Sequence, residues 1–418
     1  MNILILAYAS EPGAGSEYGV GWMVPLTMAQ RNPDQQIYVL TRSRCREKIE
    51  KALSDLNLPN LHFLFYDIPN WMFYKNEMQS NWGEQINYLS WQILVKKYIK
   101  RINKEIGFDV IHHLTFNQYR TPSAGFWQKI PFVMGPIGGA ECVAPAFWQD
   151  LEQHTIKKEK IRQKGKDLKI FRWFNSRSDN KKIILCSCAE NFLRLKPYAT
   201  KSELMKMPAI AYSPKDFEGI KENSQGGKDE LFKMIYAGKA WDWKGIHIFL
   251  KAAKKAYVDN HIENFQIKLI GIRFKEEQDR VMSWVDELNL KNNVELIPFI
   301  QRDELLKMET QCDLSVYPAF RDSGSMSILE ACAIGVSSIC FAAGGQDAFP
   351  DEILLKVPVL QTYEECLDAF SEKLNWAYQN RTKLKEIGLN ARKWVQENMT
   401  WDKKVDDFIR IYKEIRRG

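Results

Sequence analysis

Short runs of apolar, β-branched and aromatic residues alternate along the chain with longer stretches in which apolar positions recur every three or four residues. The short runs, bounded by polar turns, read as strands, and the longer spacing reads as amphipathic helices. In the first half the strands fall at Ile3–Ala7, Gln36–Thr41, Leu61–Tyr66, Asp109–His112, Phe132–Gly135 and Lys182–Ser187, with an aromatic-rich helix over Asn81–Ile106. A polar segment, Ser213–Glu230, carries Pro214, Asn223, Gly226 and Gly227 and reads as a linker. The alternation then resumes with strands at Lys233–Ala237, Gln266–Ile270, Asn293–Ile297, Asp313–Tyr317, Ser337–Phe341 and Val357–Leu360. Helices fit between them at Ile246–Tyr257, Glu276–Leu288, Asp303–Glu309 and Ser325–Ala333, and Trp401–Arg417 has the spacing of one more. This pattern predicts two consecutive α/β domains with parallel sheets. Such domains take ligands at the carboxyl ends of their strands, and two joined by a linker would form a cleft there.

Composition narrows the picture. A chain of 418 residues, 45% hydrophobic and 27% charged, has enough apolar surface for two cores and is not a disordered protein. No window approaches eighteen uninterrupted apolar residues, so no spanning helix is expected. The start, MNILILAYASEPG, lacks a basic region and turns at Pro12-Gly13, as a first strand does and a signal peptide does not. Eight cysteines include no CxxC pair, and Cys186 and Cys188 lie in the apolar run IILCSC, which fits reduced, packed thiols in the cytoplasm.

Charge is uneven. Residues 1–212 carry 29 Lys and Arg against 19 Asp and Glu, whereas the remainder carries 30 against 33. Much of the excess lies in Thr155–Lys182, with 11 basic and 3 acidic residues. This is either a solvated helix face or a surface drawn to an anionic membrane, a lipid phosphate or an acidic saccharide. No nucleic-acid-binding motif accompanies it.

The strand ends hold the candidate chemistry. After the first strand comes Gly13-Ala-Gly15-Ser16-Glu-Tyr-Gly19-Val-Gly21, which is neither GxGxxG nor a P-loop. It is a tight strand-to-helix connection or a loop whose amides approach a phosphate or sugar. In the second half, Gly238-Lys239 and Lys244-Gly245 flank the turn before a helix, so two cations and a positive dipole end lie together. They make a natural diphosphate site, unless both lysines are simply exposed. Next, Asp322-Ser-Gly-Ser325-Met326-Ser327-Ile-Leu-Glu330 opens another helix, whose first amides would face an anion. Glu330 could accept two hydroxyls at once, while Asp322 would otherwise serve as a cap.

These segments, GKAWDWKG and RDSGSMSILEACAIG followed by FAAGG, resemble the carboxyl-domain signature of GT-B glycosyltransferases, in particular the retaining family 4. Gly238, Lys239, Lys244 and Gly245 match its Gly-Arg-x(4)-Lys-Gly, with Lys for Arg. Asp322 and Glu330 match its Glu-x(7)-Glu, with Asp for the first Glu, and Gly344-Gly345 match a later pair. Ser323-Gly324-Ser325 stands where the family has Gly-hydrophobic-Gly. The strand end VIHHLTF and the terminal TWDKKVDDF resemble the family as well.

The resemblance implies two Rossmann-like domains facing each other across a cleft, with the last helix returning to the first. It divides the chain into an acceptor-binding domain at 1–212, a linker at 213–230, a nucleotide-sugar-binding domain at 231–398 and a closing helix at 399–418. By the same resemblance Lys239 and Lys244 neutralise the donor diphosphate, Glu330 holds the ribose, and Asp322 touches the donor sugar. The amides of Met326 and Ser327, beside Ser325, cap the phosphate. His113, or its neighbour His112, lies at the transferred sugar, and Gly15 and Ser16 approach from the opposite wall.

The implied reaction moves a sugar from a nucleoside diphosphate sugar, most commonly a UDP-sugar, to a hydroxyl of a saccharide or lipid-linked saccharide. Anomeric configuration is retained, and neither cofactor nor metal is needed, in keeping with the absence of an Asp-x-Asp triplet. Gly138, Gly139 and Glu141, at another strand end, are either a plain turn or contacts to acceptor or sugar. Trp71, Phe73, Tyr74, Trp82 and Trp91 face a sugar or an interface, or fill the core. The resemblance implies a bacterial polysaccharide or glycolipid pathway, and the basic segment with these aromatics fits peripheral attachment at the inner face of the cytoplasmic membrane. The competing readings are a nucleotide-sugar epimerase or phosphorylase of the same fold and a non-catalytic saccharide-binding protein.

Overall fold

Val, Ile, Leu and Phe fill both faces of the central strands, so these strands need helices on each side and pair in parallel. In the computed structural model, which describes residues 1–72, 81–177, 179–220 and 231–417, they form two sheets. The side chains of Ser16, Asn81 and Trp82 lie outside the description, as do Phe73, Tyr74 and the linker residues 221–230.

The first sheet contains β1 (Asn2–Leu6), β2 (Gln36–Thr41), β3 (Leu61–Phe65), β4 (Val110–His113), β5 (Phe132–Ile137), β6 (Lys182–Cys186) and β7 (Glu203–Lys206). Its order is β3-β2-β1-β4-β5-β6-β7, all parallel. The second contains β8 (Phe232–Ala237), β9 (Phe265–Ile270), β10 (Val294–Ile297), β11 (Leu314–Tyr317), β12 (Ser337–Phe341) and β13 (Leu355–Val357), in the order β10-β9-β8-β11-β12-β13. Both orders reverse beside their first strand, which is the Rossmann-like arrangement.

Two strands differ from expectation. β7 reads Glu-Leu-Met-Lys, a half-exposed edge with no apolar run to mark it. β13 starts two residues before the expected Val357 and stops at Val357, because Pro358 has no N–H to continue the ladder.

The chain divides into two compact units. The first comprises Met1–Ala140, Gly165–Ala209 and Trp401–Gly418, and the second Glu141–Lys164 and Ile210–Thr400. Residues 141–164, expected within the first domain, therefore belong to the second. The reason is packing: Val143, Phe147 and Leu151 are buried in the core over the second sheet, and the Phe147 ring stacks on Phe320 at 4.1 Å and 8°. The expected basic stretch is divided accordingly. Helix Gln153–Gln163 lies in the second unit and helix Leu168–Ser176 in the first.

In the first unit the helix Trp401–Arg417 buries Val405, Phe408, Ile409 and Tyr412. Arg31, at the end of helix Ser16–Arg31, pairs with its Asp402 and Asp406. The second unit has its own core around Phe232, Leu269, Leu314 and Phe341, below the strand ends that carry most of the candidate residues.

Candidate functional site

A cavity of about 530 Å3 opens over the carboxyl ends of β8, β9 and β10. Gly238 and Lys239 line it just past β8, Gly271 and Arg273 just past β9, and Phe299 and Arg302 past β10. The floor depends on two glycines. Gly271 has φ +96°, and a Cβ there would stand 3.0 Å from the Gly238 carbonyl oxygen. The rim is aromatic and cationic: the Arg273 guanidinium lies 4.0 Å from the Phe299 centroid, and Lys239 Nζ lies 4.3 Å from that of Trp241. Lys239 is exposed and makes no ion pair among the described residues.

Ser327 closes the cavity from the side of β11, its hydroxyl donating to the Ala237 carbonyl at 3.3 Å. It stands in the first turn of helix Met326–Ala333. The amides of Met326 and Ser327 make no hydrogen bond to the chain among the described residues, whereas those of Ile328 and Leu329 turn back to the Ser325 carbonyl. Two N–H groups and the positive end of the helix dipole are thus presented beside Lys239 and Gly238, an arrangement that favours an anion. Ser325, in the left-handed region at φ 49°, starts the helix and is buried, its hydroxyl donating to Gln346 Oε1 at 3.2 Å.

Glu330 is mostly buried one turn on and accepts a hydrogen bond from Arg302 Nε at 2.6 Å. It is not in the wall of the cavity; Arg302 is, and links the two.

Lys244 and Asp322 form a second cluster at the end of β11. Lys244 Nζ donates to Asp322 Oδ2 at 2.5 Å and to the Tyr317 hydroxyl at 3.0 Å. The Tyr317 hydroxyl and the Gly324 amide also donate to Asp322. Burial raises the carboxyl pKa, but Lys244 and these donors outweigh it and hold Asp322 at about 2. The two residues expected to serve the diphosphate and the donor sugar separately are thus partners here. The loop is pressed from behind by Gly344 and Gly345: a Cβ on Gly344, at φ 58°, would stand 2.3 Å from the Asp322 carbonyl oxygen.

The segment 141–164 supports this loop. Glu141, expected as an acceptor or sugar contact, is buried and accepts from the Ser323 hydroxyl. Gly138 and Gly139 remain in the first unit, so this sequence constellation is split. Glu159, fully buried, accepts from Arg162 at 2.5 Å and from the Val143 amide at 3.1 Å, and its Oε1 lies 3.2 Å from Arg321, the residue before Asp322. On the other flank Asp242 accepts from the Glu152 amide at 2.8 Å.

In the first unit both expected histidines are buried side by side at the end of β4. His112 donates from Nε2 to the Gly135 carbonyl at 2.8 Å, which leaves Nδ1 to accept from the Tyr412 hydroxyl. It is a joint between β4 and the last helix, not a sugar contact. His113 Nε2 donates to the Thr115 carbonyl at 3.0 Å, and its Nδ1 has no hydrogen-bond partner. Neither ring has exposed surface, and burial lowers their pKa values to about 4 and about 3, so both are neutral near pH 7. Trp91 is core, its indole donating to the Tyr66 carbonyl at 2.8 Å, while Trp71 is 84% exposed.

In the glycine-rich loop, Gly19 and Gly21 are needed for packing: a Cβ at Gly21 would stand 1.9 Å from the Ala9 carbonyl oxygen. Gly15 is exposed, has nothing within 4 Å of an added Cβ, and leads into helix Ser16–Arg31.

Trp241, Arg273, Phe299 and Arg302 were not singled out in the sequence. Arg273 and Phe299 each follow an expected strand by two or three residues, so the strand-end rule could have found them.

Among the described residues no group of three or more His, Cys, Asp or Glu side chains is placed to hold a metal ion, and none of the eight cysteines forms a disulfide. No described helix is long and apolar enough to cross a membrane.

Residues 219–394 match the family model for glycosyl transferases group 1. An uncharacterized glycosyltransferase of Methanocaldococcus jannaschii is 23% identical over 190 residues, which is 46% of this chain and 47% of that protein. The chain thus spans about half the length of the curated relatives it matches. Among solved structures, sucrose-phosphate synthase from Thermosynechococcus elongatus aligns at a TM-score of 0.64 and 15% identity, over 99% of this chain and 98% of that one. HepE from Anabaena, in complex with UDP and glucose, aligns at a TM-score of 0.57 and 15% identity, over 98% and 99%. The chain therefore has the GT-B fold, and its residues 219–394 carry a domain of the glycosyl transferases group 1 family.

Proposed function

We propose that the protein is a glycosyltransferase that moves a sugar from a nucleoside diphosphate sugar, a UDP-sugar first among them, to a hydroxyl of a saccharide or lipid-linked saccharide. The observation that carries this reading is the cavity over β8, β9 and β10, where Lys239, the Gly238 turn and the free amides of Met326 and Ser327 meet within the group 1 domain. The base and ribose occupy the apolar cavity, with Arg302, held by Glu330, at the ribose. The diphosphate lies on the helix N-terminus and Lys239. Lys244, shared with Asp322, supplies the second cation as charge builds on the departing phosphate. These groups can neutralise a leaving diphosphate without a metal, and retention of configuration follows from the family resemblance.

HepE was solved with UDP and glucose, which supports UDP as the first nucleotide to try. On helix Leu168–Ser176, Ile170 and Trp173 are exposed beside Lys169 and Arg172, which supports attachment to an anionic membrane and a lipid-linked acceptor. A polysaccharide or glycolipid pathway fits such an acceptor.

The test is thermal stabilisation by UDP, GDP and ADP, each with EDTA. A nucleotide at one hundred times its Kd adds about 2.7 kcal/mol, and one nucleotide should stand out. No shift from any of the three would refute the donor site. A second reading, a saccharide-binding protein without turnover, is favoured by one observation: Asp322 is already engaged by Lys244, Tyr317 and Gly324. Release of nucleotide from a UDP-sugar in the presence of acceptor separates the two.

A further inference from the structure

Trp241 stands in the turn between β8 and helix Ile246–Ala256, within the run Lys239-Ala240-Trp241-Asp242-Trp243-Lys244. The backbone of this turn is held along its length. The buried Tyr236 hydroxyl donates to the Lys239 carbonyl at 2.7 Å, and Arg280 Nη2 donates to the Ala240 carbonyl at 2.6 Å. The Lys244 amide donates to the Trp241 carbonyl at 2.8 Å, and the Phe320 amide to that of Trp243 at 2.9 Å.

The Lys239 side chain is held differently. It is exposed, and its ammonium makes neither a hydrogen bond nor an ion pair among the described residues; it lies over the Trp241 ring, 4.3 Å from the centroid. Trp241 in turn lies against Trp243, with centroids 4.9 Å apart and planes at 39°, and Trp243 packs on the core of the second unit. The guanidinium of Arg321, which precedes Asp322, is 4.9 Å from the Trp243 centroid. Two indoles thus form a ladder from the core to an ammonium in the cavity wall. The exposed Trp and Phe side chains of the second unit, among the described residues, are Trp241, Phe274 and Phe299, and all three line this cavity.

An ammonium is a compact charge on a flexible stem and lacks the planar fork by which an arginine grips a phosphate. Lys239 therefore depends on a neighbour to place it. A carboxylate would neutralise the charge in doing so, as Asp322 does for Lys244. An indole face attracts the ammonium and leaves both its charge and its N–H donors to a ligand. We propose that Trp241 is a positioning residue for the donor diphosphate, holding the Lys239 ammonium in the cavity beside the amides of Met326 and Ser327. The role rests on the donor reading given above and is exercised through Lys239, not through contact with the ligand.

The test compares UDP, GDP and ADP with uridine, guanosine and adenosine on the full chain, each with EDTA. Calorimetry serves for the diphosphates and competition in ligand-observed NMR for the nucleosides. Trp241→Leu keeps apolar bulk but removes the π face, and should weaken the diphosphate that the parent binds by about three- to fivefold. The matching nucleoside has no phosphate for Lys239 to meet, so its affinity should not change, and neither should the melting temperature. Trp241→Phe restores a ring and should recover most of the loss. In a Lys239→Ala background, Trp241→Leu should have no further effect. A Trp241→Leu protein that binds the diphosphate as the parent does would overturn the proposal. So would an equal loss for diphosphate and nucleoside, a Trp241→Phe protein no better than Trp241→Leu, or a full further loss in the Lys239→Ala background. If the parent binds none of the three diphosphates, the donor reading falls and the role of Trp241 falls with it; diphosphate binding that is indifferent to Trp241 overturns that role alone.

Discussion

Lys244 Nζ lies 2.5 Å from Asp322 Oδ2, and the pair is largely enclosed, with 16% and 24% of the two side chains exposed. A nucleotide diphosphate arriving at this end of the second sheet therefore meets a lysine that already has a partner. Asp322→Asn removes the competing charge, so UDP should bind several-fold more tightly while sugar transfer falls by at least about tenfold. Titration with UDP alongside turnover would show whether the two move in opposite directions. Lys244→Ala leaves the carboxylate without its cation and should cost about 2 kcal/mol. The folded pKa of Asp322, about 2, lies below its ordinary 3.8. Its contribution to stability is therefore present above pH 4 and is lost as the pH falls through about 2.

Glu330 faces Arg302, whose side chain is 44% exposed and has Asp216 at 3.7 Å as a second carboxylate. Removing Glu330 leaves Arg302 in water and near Asp216, so Glu330→Ala should change stability by no more than about 1 kcal/mol. Nucleotide affinity should drop about tenfold or more. Unaltered UDP binding in a folded Glu330→Ala protein would remove Glu330 from the site.

Glu309, buried on helix Arg302–Glu309, has its carboxyl pKa pushed by burial from 4.5 to about 8. Between those values the folded chain holds a proton that the unfolded chain has released, so stability declines as pH rises from 4.5 to 8. Glu309→Gln is neutral throughout and should flatten that decline. Chemical denaturation of both proteins at pH 5 and pH 8 measures the difference, and parallel curves would count against a protonated Glu309.

Glu159 lies between Arg162 and Arg321 with no exposed surface. Glu159→Gln leaves two guanidiniums without their buried counter-charge and should destabilise by about 3 kcal/mol. Because Arg321 adjoins Asp322, UDP affinity should fall as well, measured well below the melting temperature. A loss of stability with unchanged affinity would make the segment 141–164 a structural brace only.

Much of this architecture was legible from local pattern. Strands such as Ile3–Leu6 and Ser337–Phe341 are buried on both faces, and Lys239 and Asp322 follow strands where the chain leaves the sheet, with Lys244 and Glu330 further along, before and within the next helix. Their spacing fixes them to loops and first helical turns whatever else surrounds them. The four-residue edge β7 escaped because an edge needs only one apolar side, and two alternating residues do not stand out from a loop.

Side-chain partners were not legible in the same way. Phe147 and Val143 are apolar in any context, and nothing in their order says that they cover the second sheet and not the first. His112 and His113 look alike beside a strand end, yet one ties the last helix to β4 and the other closes on Thr115. Lys244 could have faced solvent, a ligand or Asp322, 78 residues away. Backbone periodicity and turn chemistry are local, so they specify element type and where loops emerge. Which buried face meets which, and which charge neutralises which, depends on contacts closed over tens to hundreds of residues, and these exist only once both sheets have packed.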